Sequence, residues 1–235
     1  MHLGSTYRSP SLLLALALLL TSGVTRGSEV KDGPVLDLTF IEVRIQARGH
    51  TSGVLRQQEN ASREHHASPG QVISLQEISR PERFVVLERE PPDVLTARGR
   101  GTRALTEGLT DDLAAPPDQR LNRELGETAT ATSPRVDARA DFYVVTHVDI
   151  ASPDRSRVET ALYKLAAAAR QSDGNLGFEI LQQIDRPNHF NLISAWLGES
   201  PFRAFTSGAA AREFRQTVGP LLGSPYDERL FRRVD

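Results

Sequence analysis

Two histidines, an arginine, an asparagine and several aromatic residues in the C-terminal half are the side chains best suited to do chemistry. His147 and His189 carry imidazoles, which take or give a proton near neutral pH. Arg186 offers a fixed positive charge for a developing oxyanion, and Asn188 offers a hydrogen bond to a ligand oxygen. Trp196, Tyr226, Phe202 and Phe205 are candidates for an apolar wall. A base, a charge holder and a dry wall are the parts of proton-transfer chemistry on an apolar ligand. Each residue also has a plainer reading. His189 fits a surface hairpin, His147 a satisfied half-buried histidine, Arg186 a hairpin brace, Trp196 a core side chain, and Tyr226 a hydrogen bond across a seam.

The elements that must position these residues centre on Leu181 to Trp196, LQQIDRPNHFNLISAW, where apolar and polar residues alternate on both sides of Arg186-Pro187-Asn188-His189. This predicts a hairpin. An earlier stretch, LQEISRPERFVVLERE from Leu75 to Glu90, repeats it at an offset of 106: Leu75/Leu181, Gln76/Gln182, Ile78/Ile184, Arg80/Arg186, Pro81/Pro187 and Phe84/Phe190. Val43 and Ile45 also match Val148 and Ile150, and Pro116, Asp118, Arg120 and Leu121 match Pro225, Asp227, Arg229 and Leu230. Three blocks in the same order indicate a tandem duplication.

In the first copy, residues 35–125, strands are predicted over Val35–Ile45, Val72–Ile78, Arg83–Arg89 and Gln119–Leu125. A weakly striped helix over His50–His66 and a second helical stretch from Pro91-Pro92-Asp93 to Leu113 lie between them, giving β-α-β-β-α-β. Gly126–Ala140 reads as a linker. The second copy, residues 141–235, opens on a strand over Phe142–Ile150. A helix capped by Ser152 next to Pro153 follows, with Val158, Ala161, Leu162, Leu165, Ala168 and Ala169 on one face. After the hairpin comes a helical region from Ser200-Pro201, broken near Ser207-Gly208, and a final strand over Tyr226–Val234. The fold class is α+β.

Residues 1–27 carry a weakly basic start, an apolar run from Leu12 to Leu20 and small residues to Gly27, as in a cleaved secretory signal; the run is far shorter than a span requires. A secreted or periplasmic location follows, with no membrane span in the mature chain. Loss of that segment removes two arginines and leaves 26 basic against 30 acidic residues. Mild acidity with mixed charges gives no reason to expect nucleic acid as a partner. The chain has no cysteine, so disulfides, thiolate metal sites and a cysteine nucleophile are excluded. Gly99-Arg100-Gly101 lacks the rest of a phosphate loop, His65-His66 point different ways on a helix, and Asp111-Asp112 reads as a solvated pair.

The blocks VVTHVDI (Val144–Ile150), GNLGFEILQQIDRPNHFNLISAW (Gly174–Trp196) and PLLGSPYDERL (Pro220–Leu230) resemble the antibiotic biosynthesis monooxygenase, or quinol monooxygenase, family. The resemblance implies a ferredoxin-like fold whose four-stranded sheets pair into a dimeric α/β barrel, here formed by the two halves of one chain, with a homodimer also open. It implies oxygenation of small aromatic substrates such as quinols or anthrones by molecular oxygen, without metal, flavin or other cofactor. Catalytic roles then fall to His147, His189 and Arg186, and substrate binding to Asn188, Trp196, Tyr226, Phe202 and Phe205. Where relatives carry a histidine in the second helix, this chain has Ala209-Ala210-Ala211, which disfavours haem cleavage and opens the alternative of a non-catalytic barrel that binds a small apolar ligand or serves assembly. At the positions matched to His147, Asn188, His189, Trp196 and Tyr226 the first copy has Glu42, Glu82, Arg83, Glu90 and Pro117. Four of these are charged and ill suited to a dry pocket, so the first copy reads as a structural half and the pocket is expected in the second.

Overall fold

The computed structural model describes residues 35–65, 72–90, 108–126, 136, 140–151 and 154–234. Their strands are β1 (Val35–Glu42), β2 (Val72–Glu77), β3 (Arg83–Glu90), β4 (Asp118–Leu125), β5 (Phe142–Asp149), β6 (Asn175–Gln183), β7 (His189–Trp196) and β8 (Asp227–Arg233). The helices are α1 (Arg48–His65), α2 (Arg155–Arg170), α3 (Glu199–Thr206) and α4 (Ala209–Val218). Residues 91–107 of the first copy's second helical stretch, most of the linker, the signal-like segment and the Ser152-Pro153 start lie outside the described residues; the end of that stretch, residues 108–112, forms turns instead of helix. At α2 the capping position is Asp154, without a side-chain cap bond.

The strands close into one antiparallel barrel in the order β1-β3-β2-β8-β5-β7-β6-β4. Each half contributes four neighbours, and the seams are β2 against β8 and β4 against β6. Closure leaves no strand edge to pair elsewhere. Side-chain alternation explains why a single sheet would not suffice. In β5, Phe142, Val144 and Val148 point to the helix layer, while Tyr143 and Val145 point into the barrel. The barrel interior is filled from both halves, by Leu36, Leu38, Leu75, Val85 and Leu87 against Tyr143, Val145, Leu181, Ile193 and Phe231. An apolar face on each side of a sheet needs two coverings, and the second copy is the inner one.

Outside the barrel, Val158, Ala161, Leu162, Leu165, Ala166 and Ala169 bury the face of α2, so Ala166 takes the place expected of the half-exposed Ala168. The weak stripe of α1 has a different cause. Its buried face is Thr51, Leu55 and Glu59, one residue per turn, and the carboxylate accepts from Arg63 Nη2 at 2.5 Å and Ser74 N at 3.2 Å. Arg233 of β8 also donates to it, tying α1 to the seam. Asp112 is no solvated pair member: its Oδ2 sits 2.7 Å from His50 Nδ1 and accepts from Thr51 Oγ1 at 2.9 Å. Of the linker, Val136 and Ala140 are described, and both are buried in the barrel core. Val136 N donates to the buried Glu179 at 2.6 Å, and Arg89 pairs with the same carboxylate.

The two halves repeat each other in hydrogen-bond detail. Gln76 Nε2 donates to Pro81 O at 2.7 Å and Gln182 Nε2 to Pro187 O at 2.6 Å. Val43 N donates to Glu82 O at 2.9 Å and Ile150 N to Asn188 O at 3.0 Å. These bonds make Val43 the counterpart of Ile150 and correct the sequence match by two residues. Glu42, opposite Arg83, corresponds to Asp149, opposite His189. Phe40, opposite Val85 and Asp118, corresponds to His147, opposite Asn191 and Asp227. A slip of two along a strand keeps every side chain on its face, so alternation alone could not reveal it.

Candidate active site

The ladder registers place the C-terminal ends of β1 and β5, the N-terminal ends of β3 and β7, and both proline turns at one end of the barrel. His147 is on the inward face of β5, in phase with Tyr143 and Val145. His189 opens β7 and is in phase with the inward Ile193 and Ala195, so both imidazoles face the same mouth.

The pair belongs to a chain of side chains. His147 Nδ1 lies 3.2 Å from Asn191 Oδ1, and Asn191 Nδ2 donates to Asn122 Oδ1 at 2.8 Å. Because the amide of Asn191 is committed to Asn122, its oxygen faces His147 and requires the proton on Nδ1. That leaves Nε2 of His147 as the basic nitrogen. His189 Nδ1 is 3.4 Å from it, a long contact that leaves the lone pair available, and the rings stack at 29° with centroids 5.5 Å apart. On the far side, His189 Nε2 is 3.4 Å from Asp149 Oδ1. Burial pushes the pKa of His147 below the ordinary imidazole value; the bond to Asn191 works against this, and the nearby Arg120 adds to it. His147 is therefore held neutral, the form a general base needs.

A cavity of about 240 Å³ opens at this mouth. His147, Val145, Asp227, Arg229 and Phe231 line it from the second half. Phe40, Glu42, Glu77, Arg83, Phe84, Asp118 and Arg120 are among its walls from the first. Its rim at Ala115, Pro116 and Asp118 is exposed. The expectation of a pocket built by the second copy alone does not describe this cavity, because closing one barrel from two sheets puts both inner faces around the same mouth. The charges at the mouth pair off: Arg83 with Glu42 at 3.2 Å, Arg120 with Asp118 at 2.6 Å, Arg229 with Asp227 at 2.6 Å. Arg120 also lies over the Phe40 ring, 4.7 Å from its centroid. The bond to Asp227 holds Arg229 above even its usual range, with the charges of Glu77 and Glu42 adding to it.

The other sequence candidates lie elsewhere. Trp196 is fully buried on the helix side of the sheet, with ring centroids 5.9 Å from Phe202 and 5.3 Å from Phe205. Its indole donates to Ser194 Oγ at 2.9 Å, so its polar atom is satisfied within the core. Tyr226 packs on the same layer, edge-on to Phe214 at 6.4 Å. Burial raises its pKa, and the neighbouring Glu228 adds to the rise. Burial likewise raises the pKa of Glu228. Asn188 Nδ2 donates to Ile150 O at 3.1 Å and fastens the turn to β5, while Arg186 is exposed at the turn with its carbonyl accepting from His189 N at 2.9 Å. Of the expected set, the two histidines meet each other at the mouth and His147 lines the cavity, while Trp196, Phe202 and Phe205 meet in the core on the other side of the sheet.

The residues missed were Asp149, Asn191 and Asn122 behind the imidazoles, and Glu77, Arg120 and Arg229 in the wall. A period-two reading had the signal for two of them, since Asp149 follows His147 by two and Asn191 follows His189 by two. Nothing in the sequence marked Glu77. Among the described residues no group of three or more His, Asp or Glu side chains converges as a metal site, and no helix is long and apolar enough to cross a membrane.

Comparison with known proteins agrees with this architecture. The fold is similar to two solved structures, each named "putative monooxygenase". The protein from Fusobacterium nucleatum has a TM-score of 0.70 at 8% identity, over 87% of this chain and 94% of that one. The protein from Lactobacillus acidophilus has a TM-score of 0.63 at 12% identity, over 86% and 95%. The heme-degrading enzyme of Listeria monocytogenes is similar at a TM-score of 0.52 and 12% identity, over 84% and 98%. At these identities the likeness is one of fold. No curated protein matches the chain. Residues 141–217, about a third of the chain, match the family model described as antibiotic biosynthesis monooxygenase, and with the hairpin, the barrel and the repeat in place, that stretch is similar to the family and lies within a tandem ferredoxin-like barrel.

Proposed function

We propose that the protein is an exported monooxygenase that oxygenates small aromatic substrates of the quinol or anthrone kind with molecular oxygen, in the cavity at the barrel mouth. The observation that carries the reading is the place of His147 in the cavity wall, with Nδ1 committed to Asn191 and Nε2 left as the basic nitrogen. His147 Nε2 takes the acidic proton of the substrate, and the resulting phenolate or enolate is electron-rich enough to reduce oxygen itself. One oxygen atom enters the substrate and the other leaves as water, as when a methylene becomes a carbonyl. His189 and Asp149 stabilise the imidazolium and give its proton a way out. Arg229, beside His147 in the wall, faces the oxyanion in the role sequence reading gave to Arg186. Val145 and Phe231 supply the apolar floor.

The second reading is a barrel that binds such a ligand without turnover. It is favoured by the packing of Trp196, Phe202 and Phe205 into core, which leaves much of the expected aromatic wall away from the mouth. Oxygen uptake measured with a panel of quinols and anthrones separates the two. Uptake that disappears in His147→Ala supports the enzyme; background rates for wild type and variant alike support the binding barrel.

A further inference from the structure

Among the described residues, the mouth has one acidic side chain that the paired charges leave over. Glu77 ends β2 and is 4% exposed, yet it lines the cavity. Its Oε1 accepts from Ser79 Oγ at 2.6 Å. Its Oε2 is buried and has no hydrogen-bond partner among the described residues. The other carboxylates around it are engaged by guanidinium groups: Glu42 by Arg83, Asp118 by Arg120, Asp227 by Arg229. A buried acceptor left open costs free energy unless something fills it, and a cavity wall is where a ligand can do so.

We propose that Glu77, from the half without the imidazoles, is the specificity-determining acceptor of this cavity, and that its ligand carries a hydrogen-bond donor, a hydroxyl or an amine N–H, directed at Oε2. The inference rests on the ligand site proposed above but not on turnover there. A site that holds a bare acceptor rejects an analogue lacking the donor far more strongly than an apolar pocket rejects one methyl group, because the acceptor then stays dry and unpaired. The role also changes the account of the first half: it reads the ligand, while the second half supplies the base.

The test is equilibrium binding, measured by calorimetry without oxygen, of three probes: 1,4-dihydroxynaphthalene, its dimethyl ether and 1,4-diaminonaphthalene. Wild-type protein is expected to bind the diol or the diamine at least about tenfold more tightly than the ether, and the tighter of the two identifies the donor. Glu77→Leu is expected to bind the ether as well as the donor-bearing probes. Glu77→Gln, which keeps the shape and allows folding to be checked by circular dichroism, is expected to lose most of the discrimination. Equal binding of ether and donors by wild type, binding of none, or discrimination that survives in both variants would overturn the proposal. Selective binding without oxygen uptake would leave it standing and count only against the monooxygenase.

Discussion

Phe40 and His147 occupy equivalent rungs of the two halves, each inward-facing and each opposite an aspartate on the neighbouring strand, Asp118 and Asp227. The equivalence shows where the halves diverged. One rung holds a ring under Arg120, and the other holds an imidazole with Asn191 and His189 beside it.

The first prediction follows from that divergence. His147→Gln should lower oxygen uptake by roughly 10²–10⁴, the usual worth of a general base. His189→Asn, which removes only the group behind the base, should cost less. Initial rates of uptake by the two variants, with folding checked by thermal melting, test the order; a larger loss in His189→Asn than in His147→Gln would reverse the assigned roles.

The depressed pKa of His147 sets the pH dependence. The base is active when unprotonated, so the rate should be level at neutral pH and fall only below the ordinary imidazole value of about 6.5. Stability has the same sign. The unfolded chain binds the proton first as pH drops, so stability is full above about pH 6.5 and declines towards the lower folded value. Denaturant titrations between pH 7.5 and 5 should show a smaller slope for His147→Gln than for wild type.

The proline turns should respond alike in both halves. Gln182→Ala and Gln76→Ala each remove one bond to the carbonyl of the turn proline, and each should cost about 1 kcal/mol. Chemical denaturation of the two variants measures this, and a cost in one alone would mean that the turns are not equivalent supports.

Trp196 should behave as core. Trp196→Ala should destabilise by about 3–5 kcal/mol, from lost burial against Phe202 and Phe205. At a temperature where the variant is folded, its affinity for a ligand in the mouth should match wild type. A selective loss of affinity at unchanged stability would return Trp196 to the site.

The second copy should not be content alone. A fragment of residues 139–235 loses the pairings of β6 with β4 and of β8 with β2, and exposes Tyr143, Val145, Leu181, Ile193 and Phe231. Size-exclusion chromatography should show a dimer or larger species. A well-behaved monomer would count against the barrel's dependence on both halves.

Much of this was legible in the residues. Alternation in β5 gave both of its faces, Phe142 with Val144 outward and Tyr143 with Val145 inward, and the break at Ser207-Gly208 separated α3 from α4. The repeat at Gln76 and Gln182 marked a bond that both halves make. The site was less legible because a barrel mouth is assembled from strand ends far apart in sequence. Period two says which side chains share a face, but only ladder register says which of them share a rung. That is why Glu42 was matched to His147 when its counterpart is Asp149. Aromatic residues such as Trp196 look the same to the sequence whether they line a hollow or fill a core.

The two seams, β2 with β8 and β4 with β6, join copies that share a single backbone. In a pair of separate identical chains every substitution appears twice, once on each side of the axis. Here a change at one copy leaves its twin untouched, so Phe40 and His147 can differ. A fused barrel can thus keep one side for grip and the other for reactivity, a division of labour closed to a symmetric pair.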